Sequence, residues 1–494
     1  MSSEQAKACC IHIFRRDYRL EDNTTLIEAL KTHETVIPIF IFTSRQIDPK
    51  KNEYRSDNAV QFLCESLADL NKQLRAKNSQ LFCFYDDGKI DEIELLEDII
   101  DICPDVKTVS FNMDYTNYSK KRDAEIVKLC ADKGLTCLIK DDICLNPVGT
   151  IVTGSGKPYS KFTPFWRTSA AKDIPKPAKN AHSNYLKSKS SSNTLVNKLN
   201  NHKYSISMSS IMTTGGKIIG PVINDNLPER GGRDNGQAIL KKITEWKDYE
   251  DQHDQLTYNT THLSPFNKYG CVSIREVYWT MMSKLGKDNP VIRQLFWRDF
   301  FYHLSNYYPE IYTAKALNPK YRNIKWSQDT SKLKAWQEGR TGFPIVDACM
   351  RELNTTGYMH NRGRLITSSF LCRMLSIDWK EGEKYFARKL YDYDPAQNNF
   401  GWQVSGANSS GTTSRPLEQT ILNPWIQGAQ FDRDGKYIKK WCPELEDVNP
   451  SHLHKWDQYA SGYIKEKGIK YLEPIIDYKV EKEKNLKMYK KYLK

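Results

Sequence analysis

The stretch Gly357–Trp402, GYMHNRGRLITSSFLCRMLSIDWKEGEKYFARKLYDYDPAQNNFGW, decides what kind of protein this sequence describes. Between Asn361 and Asp378 apolar residues recur at helical spacing, which predicts a helix with one buried face. Arg362 and Arg364 lie in its first turn, where a cation opposes the helix dipole, so they indicate an anionic partner. The later segment YDYDPAQNN predicts a loop whose carboxylates and amides suit a ring with many edge donors and acceptors.

Length and composition describe an ordinary soluble protein of two or three domains. The chain has 494 residues, of which 39% are hydrophobic and 27% are charged, and this is enough for a large core. No apolar run reaches the ~18 residues of a membrane span, and Met1–Ala8 is polar rather than signal-like. We therefore expect a soluble intracellular protein of the cytoplasm or nucleus that does not bind membranes.

The cysteines and the net charge bear on metals and partners. The twelve cysteines are scattered without a CxxC pair or a Cys/His cluster at metal spacing, so we expect no metal site. Buried free thiols in a reducing compartment are the simpler interpretation. The net charge of +13 favours a polyanionic partner, although a solvated basic surface has the same composition.

The first part of the chain predicts an α/β domain, which we place at residues 1–145. Short apolar runs alternate with helical segments, and this alternation is typical of a parallel sheet covered on both faces. No GxGxxG follows any of these runs, so the domain lacks a dinucleotide fingerprint. The predicted strands are Cys10–Phe14, Thr35–Phe42, Leu81–Tyr85 and Val106–Phe111.

Beyond this domain the composition shifts toward Ser, Lys, Asn, Pro and Gly. We predict an interdomain linker over residues 146–232, with Lys187–Lys203 as a mobile part. Helical periodicity restarts at Pro228–Trp246, and we place a helical domain at residues 233–494. The lysine-rich tail Lys479–Lys494 is most simply a solvated helix end.

Three motifs along the chain are specific enough to compare with a known family. They are WRDFFYH (Trp297–His303), GRTGFPIVDACMREL (Gly339–Leu353) and GYMHNRGR. With them the sequence resembles the photolyase and cryptochrome family from Ile11 to about Glu444, and is most like a class I-type cyclobutane pyrimidine dimer DNA photolyase. The resemblance implies a Rossmann-like α/β domain, which in the family often holds an antenna pigment, and an all-α domain that binds FAD. It implies repair of ultraviolet-damaged DNA, or blue-light sensing.

The resemblance also implies which residues hold FAD, the cofactor that is reduced in the active state. TTHLSPFNKYG (Thr260–Gly270) is similar to the family segment TSRLSPYLKFG, whose hydroxyls and amides hold the phosphates; as ordinary N-cap residues the same hydroxyls need no ligand. His262 stands where the family usually has arginine. The implied cofactor-binding residues are Tyr249, Thr260, Thr261, His262, Leu263, Ser264, Asn361, Arg364, Asp392, Asp394 and Asn398.

Asn398 and three tryptophans carry the implied redox chemistry. By resemblance Asn398 faces N5 of the flavin, where a neutral amide can hydrogen-bond and favour the reduced cofactor. Trp402, Trp379 and Trp326 match the family's electron-transfer chain, because an indole can be oxidised transiently and has a wide π-face. A single tryptophan is more often a core residue than a relay. Three tryptophans on the three expected motifs reverse that preference.

Four residues match positions at which the family contacts DNA: Trp297, Arg298, Arg362 and Gln427. The resemblance implies that Trp297 stacks on a lesion flipped out of the duplex and that Arg362 contacts a phosphate.

The predicted lesion pocket departs from the family at two positions. Gln294, which we count among the catalytic residues, stands where cyclobutane-dimer photolyases usually have glutamate, and Val404 stands where they have a second tryptophan. Gln294 is also the choice of the (6-4) photolyases. The two histidines of those enzymes would fall at Asn361 and Leu365, so their acid is missing here.

We therefore expect a monomeric photolyase that splits cyclobutane pyrimidine dimers in ultraviolet-damaged DNA by electron transfer from excited reduced FAD. Two alternatives stay open: a (6-4) photolyase, and a cryptochrome photoreceptor without repair activity. The missing histidines weigh against the first, and the short extension beyond Trp441 weighs against the second. The identity of an antenna pigment in the N-terminal domain is left open.

Overall fold

The computed structural model of the chain describes residues 8–188, 194–207, 220–313, 315–407 and 417–492. Its strands are β1 (Cys9–Ile13), β2 (Thr35–Phe42), β3 (Phe82–Tyr85), β4 (Val106–Asn112), β5 (Thr136–Lys140) and β6 (Ser205–Ile206). The helices up to β6 are α1 (Thr24–Thr32), α2 (Ser44–Ile47), α3 (Asp57–Ala76), α4 (Glu92–Asp101), α5 (Asn117–Asp132), α6 (Phe162–Ala170) and α7 (Thr194–Asn200).

Helices make up most of the chain after β6. They are α8 (Arg233–Lys241), α9 (Tyr249–Gln252), α10 (Ser264–Tyr269), α11 (Ile274–Leu285), α12 (Pro290–Tyr307), α13 (Thr330–Glu338), α14 (Pro344–Thr356), α15 (Asn361–Ser369), α16 (Trp379–Lys389), α17 (Pro395–Gly401), α18 (Pro424–Phe431), α19 (Lys436–Trp441), α20 (Pro450–Leu453), α21 (Trp456–Lys467) and α22 (Tyr478–Tyr492). Two π-helical turns, π1 (Phe370–Met374) and π2 (Trp402–Gly406), follow α15 and α17. No helix in the part of the chain listed above is long and apolar enough to cross a membrane.

The sheet has the strand order β5-β4-β1-β2-β3-β6. The first five strands are parallel, and β6 runs antiparallel to β3. This confirms the predicted parallel α/β fold and most of the predicted strand bounds. The half-exposed edge strand β5 was not predicted, because its pattern lacks the continuous apolar run of a central strand.

The prediction of a mobile linker over Lys187–Lys203 is wrong for the part that forms α7. Val196 and Leu199 of this helix are buried in the apolar core of the sheet. Residues 189–193 and 208–219 of the predicted linker lie outside the described residues. Two apolar residues at helical spacing in a polar segment give a weak local signal, so only packing on the sheet identifies this helix.

Contacts divide the chain into two compact units. The first unit comprises Met1–Asn224, Glu229–Lys247 and His262–Tyr307, and the second comprises Asp225–Pro228, Asp248–Thr261 and Tyr308–Lys494. Helices α10 to α12 thus belong to the unit that contains the sheet. The domain boundaries predicted at residues 145 and 232 stay a prediction. They follow the change from strands to helices along the sequence, whereas the two units are defined by contacts.

The second unit is built around α15 and the turn that follows it. The sequence predicted one helix from Asn361 to Asp378, but the α-helix ends at Ser369 and continues as π1. Ser376 then adopts a left-handed backbone with φ of 53°. The extra residue in a π-turn shifts the helical phase, and such turns are frequent at functional sites. The α-helical prediction is therefore wrong for the last part of this segment.

The C-terminal helix α22 packs against π1. The prediction of a solvated helix end is therefore wrong. Asn485 donates from Nδ2 to the carbonyl of Cys372 (3.0 Å) and to Ser376 Oγ (3.1 Å). The Tyr489 hydroxyl donates to the carbonyl of Ala407 (3.0 Å), and the Arg373 guanidinium lies 3.9 Å from the centre of its ring. Five lysines of α22 are exposed, whereas the buried polar residues Asn485 and Tyr489 make the contact; the exposed lysines are Lys479, Lys484, Lys487, Lys490 and Lys491.

Candidate functional site

Arg364 and Asp392, which the resemblance implies as FAD-binding residues, form an ion pair. Arg364 Nη2 donates to both carboxylate oxygens of Asp392, at 3.1 and 2.9 Å. Arg364 Nε donates to the carbonyl of Met359 (2.8 Å), and the Tyr391 amide donates to the carbonyl of Gly357 (2.9 Å), which joins the loop to the start of α15. Burial lowers the pKa of Arg364, but the charge and hydrogen bond of Asp392, together with the nearby Tyr358 and Tyr391, outweigh burial, and the net pKa is raised. The cation and the predicted loop are therefore held together.

Asn398 lies on α17 and is oriented by a carboxylate on α16. Its Nδ2 donates to Glu383 Oε1 and to the carbonyl of Glu383, both at 3.1 Å. The Tyr393 hydroxyl donates to the same Oε1 (3.3 Å). Because both partners are acceptors, the amide orientation is determined: NH₂ faces Glu383 and the oxygen points to the other side. Asn398 therefore presents an acceptor on the side away from Glu383.

Asp394 and Asn361 start the two short helices of this region. Asp394 caps α17, and its carboxylate accepts the amides of Ala396 (3.0 Å) and Gln397 (3.3 Å). Asn361 is the exposed first residue of α15. A capping carboxylate is a structural role, so contacts of these two residues with FAD stay predictions.

The phosphate-binding segment predicted from the sequence is divided between the two units. In the second unit, Thr260 Oγ1 lies 3.0 Å from the Tyr358 hydroxyl, Tyr249 stacks on His253 at 5.0 Å between ring centres, and Thr261 is half-buried. Burial raises the pKa of Tyr358 to about 12, so this phenol is neutral and can donate to Thr260.

The remainder of that segment starts helix α10 in the first unit. His262 has a left-handed backbone with φ of 50°, Leu263 is buried, and Ser264 is the exposed first residue of the helix. Their role in holding phosphates stays a prediction.

The three tryptophans of the predicted relay lie in or against one apolar core. Trp379 and Trp402 are buried in it, and the half-buried Trp326 packs against it. A parallel β-bridge between Ser327 and Ile377 brings the segment of Trp326 beside that of Trp379. A Cβ at Gly382 would lie 2.1 Å from the Trp402 indole, so α16 and Trp402 are in close contact. The fold thus gathers the three motifs, which are far apart in sequence.

Of the residues predicted to contact DNA, Arg362 and Gln427 lie in the second unit. Arg362 Nη2 is 2.6 Å from Asp254 Oδ2, and its guanidinium lies 4.2 Å from the ring centre of Phe431. Gln427 is buried on α18. The anionic partner indicated by the sequence for Arg362 is thus supplied by the protein itself, and a DNA contact of either residue stays a prediction.

The other predicted DNA residues lie on α12 in the first unit. The Trp297 indole stacks on Phe162, with 3.6 Å between ring centres and 8° between planes. Arg298 donates to the backbone carbonyls of Ile143 (2.7 Å) and Asn267 (3.3 Å), so it joins parts of its own unit. Gln294 is exposed on the same helix. The structure therefore leaves Gln294 accessible and gives Arg298 structural partners.

Sequence reasoning missed Glu383, Asp254 and Trp336. Glu383 follows Trp379 by four residues on the buried face of α16, and an acid at such a position is a recognisable signal. Asp254 lies in an irregular polar segment, so nothing local marks it as the partner of Arg362. Trp336 is fully buried, and its ring centre lies 6.0 Å from that of Trp402.

The comparisons with known proteins cover both parts of the chain. Residues 10–181 match the family model described as DNA photolyase, and residues 291–491 match the FAD binding domain of DNA photolyase. The deoxyribodipyrimidine photo-lyase of Escherichia coli (strain K12) is 31% identical over 96% of this chain and 97% of its own length. The chain belongs to the DNA photolyase family.

Solved photolyases share the whole fold of this family member. An archaeal photolyase from Sulfolobus tokodaii with two FAD molecules has a TM-score of 0.80 and 33% identity, covering 98% of this chain and 100% of its own. A bacterial class III photolyase from Agrobacterium tumefaciens has a TM-score of 0.86 and 29% identity, covering 100% and 99%. The predicted family, fold, enzyme class and FAD cofactor are thereby confirmed.

The residues of the second unit fit an FAD. Arg364 with Asp392 gives a charged pair that is neutral as a whole, and Asn398 gives an oriented neutral acceptor. Such groups can hydrogen-bond the edge of a flavin ring, which carries both donors and acceptors. These three residues are the ones we expect to hold it.

Proposed function

We propose that this photolyase repairs cyclobutane pyrimidine dimers in DNA by light-driven electron transfer. The observation that carries the proposal is the oriented amide of Asn398 in the same compact unit as the three clustered indoles. The substrate class is supported by relatives whose name, deoxyribodipyrimidine photo-lyase, states it.

When bound, reduced FAD supplies the excited electron that opens the cyclobutane ring of the dimer. Asn398 contributes a hydrogen-bond acceptor without charge, and Glu383 keeps its amide from rotating. An acceptor at this point favours a protonated neighbour, and so favours the reduced cofactor. The Arg364–Asp392 pair orients the ring by hydrogen bonds and leaves no net charge beside it.

The relay residues restore the reduced cofactor after accidental oxidation. Trp402 and Trp379 are shielded from water, whereas Trp326 is half-buried and can accept an electron from a reductant in solution. Electrons then pass inward from Trp326 through Trp379 to Trp402. Phenylalanine keeps the packing at position 326 but is far harder to oxidise than tryptophan. Trp326 therefore controls the entry of electrons into the relay.

We expect α12 of the first unit and Arg362 of the second unit each to contact DNA. Phe162 stacks on the Trp297 indole, and the ring centre of Phe301 lies 5.7 Å from that of the indole. A flipped-out pyrimidine therefore stacks on the part of the half-buried indole that these rings leave exposed. The exposed amide of Gln294 can hydrogen-bond pyrimidine carbonyls in place of the carboxylate usual in dimer photolyases.

A repair assay under blue light tests the proposal, with oligonucleotides that each carry one defined photoproduct. We expect the cyclobutane dimer to be repaired in the light and not in the dark, and the (6-4) product to persist. Trp326→Phe, reduced chemically beforehand, should repair as well as the parent, since the relay serves only photoreduction. Repair of the (6-4) product alone, or of neither lesion, would overturn the proposed substrate.

A further inference from the structure

Trp336 on α13 is a buried indole in direct contact with the predicted relay. It is 0% exposed, its ring centre lies 6.0 Å from that of Trp402, and the planes cross at 76°. Its Nε1 donates to the carbonyl of Thr367 (3.1 Å). That carbonyl stabilises a positive charge on the indole, because the oxygen carries partial negative charge and the N–H keeps its proton. Trp336 is therefore chemically able to give an electron to Trp402.

Tyr385 on α16 continues the contact toward the surface. Its ring centre lies 5.8 Å from that of Trp336, and the ring is half-buried. The hydroxyl is within hydrogen-bond distance of Asn354 Oδ1 (2.6 Å) and of the carbonyl of Gln337 (3.0 Å). Trp402, Trp336 and Tyr385 thus form an unbroken series of rings that ends near solvent.

Two neighbouring residues bear on which rings of this series can be oxidised. Phe386 contacts both Trp336 (6.1 Å) and Trp402 (5.0 Å), but a benzene ring is too hard to oxidise to share the role. The Lys389 ammonium lies 5.6 Å from the ring centre of Tyr385. A cation there disfavours a positive ring, so oxidation of Tyr385 must release the phenol proton.

We propose that Trp336 and Tyr385 form a second electron-transfer branch, which leaves the predicted relay at Trp402 and reaches the surface at Tyr385. One electron passes from Trp336 to oxidised Trp402, and one electron then passes from Tyr385 to oxidised Trp336. The phenol proton leaves along its hydrogen bond toward Asn354 and passes to water, which leaves a neutral tyrosyl radical. The branch rests on the proposed light-driven relay, because that relay produces the oxidised Trp402.

The test interrupts the predicted relay and measures the flavin photoreduction that remains. Trp379→Phe removes the step beyond Trp402, so flavin photoreduction in this variant must use the branch. We expect Trp379→Phe to retain part of the flavin photoreduction and Trp379→Phe/Trp336→Phe to lose it. Electron paramagnetic resonance should detect a tyrosyl radical in Trp379→Phe, and this signal should disappear when Tyr385→Phe is added. Trp379→Phe/Trp425→Phe is the matched control, since Trp425 stacks on Phe343 and lies outside the branch.

Because Trp379 is a core residue, flavin occupancy and thermal unfolding are measured for each variant. The same series is then repeated with Trp326→Phe in place of Trp379→Phe, because Trp326 is only half-buried and its substitution disturbs the core less. Complete loss of photoreduction in both single variants overturns the branch. So does residual photoreduction that is equal with and without Trp336. Trp402→Phe separates the two proposals: if it photoreduces like the parent, the relay itself fails, whatever Trp336 does.

Discussion

At the scale of single residues, two of the cations predicted to meet flavin or DNA already have carboxylate partners. Arg364 pairs with Asp392 and Arg362 with Asp254. A phosphate that approaches Arg362 must compete with a carboxylate only 2.6 Å away. The strength of any DNA contact is therefore set by the pair and not by the arginine alone.

Changes to this pair are expected to shift DNA affinity in opposite directions. Arg362→Ala should weaken binding to damaged and undamaged DNA alike and lower the salt slope by roughly one counterion. Asp254→Asn should strengthen binding, because the amide no longer neutralises the arginine. Titrations followed by fluorescence anisotropy at several salt concentrations measure both effects.

Asp434→Asn is the matched control, since it removes the same charge from an exposed pair with Lys436 in the same unit. If Asp254→Asn and Asp434→Asn raise the affinity equally, the gain comes from net charge, and Arg362 does not contact the phosphates.

At the scale of elements, the two π-turns and α22 form one interlocked group. Ser368 and Ser405 are hydrogen-bonded across it (2.8 Å), and a Cβ at Gly406 would lie 3.1 Å from Cys372 Sγ. A π-turn leaves carbonyls without their usual i+4 donors. Asn485 of α22 donates to one of these, the carbonyl of Cys372. The C-terminal helix therefore completes the hydrogen bonding of the segment between α15 and Trp379.

Asn485→Ala is expected to destabilise the second unit by about 1–3 kcal/mol, because a buried carbonyl loses its donor. Lys487→Ala, on the exposed side of α22, should leave stability unchanged. Thermal unfolding of both variants, with the parent beside them, measures the difference. An Asn485→Ala variant as stable as the parent would mean that water replaces the amide and that α22 contributes little there.

At the scale of the whole molecule, two buried groups on α12 are expected to contribute to the pH dependence of stability. Burial raises the pKa of Asp299 to about 7 although its carboxylate accepts the Leu145 amide (2.8 Å). Burial lowers the pKa of His303, which accepts the Gly149 amide (3.2 Å), to about 4. The folded state keeps the Asp299 proton after the unfolded chain has lost it, so this residue lowers stability as pH rises. His303 acts in the opposite direction below its ordinary pKa of 6.5.

Asp299→Asn should therefore gain stability relative to the parent as pH rises. The difference in unfolding free energy is expected to change by about 1.4 kcal/mol per pH unit between roughly pH 4 and 7, because the parent's folded state holds one extra proton there. Denaturant unfolding of both proteins across this range measures the slope, which is insensitive to any constant effect of the substitution. Parallel curves would show that Asp299 is ionised in the folded protein throughout.

The sequence by itself determined the fold class and the family, and it predicted the types of residue at the flavin site. Apolar runs predict β1 to β4 because burial in a parallel sheet demands continuous hydrophobicity, which is a local property. Arg364 and Asp392 were predictable as FAD-binding residues because both belong to one stretch that the family resemblance interprets. The strand β5 and the helix α7 were missed because their local patterns are weak.

Only the tertiary structure decided which distant groups meet. It gives Arg362 the partner Asp254, turns the amide of Asn398 toward Glu383, and brings Trp336 against Trp402. None of these contacts leaves a periodic signal, because each depends on how helices far apart in sequence pack. The packing of α22 against π1 is also decided by the tertiary structure. The lysines of α22 indicate a solvated helix, and only the contact with π1 shows that Asn485 donates to the buried carbonyl of Cys372.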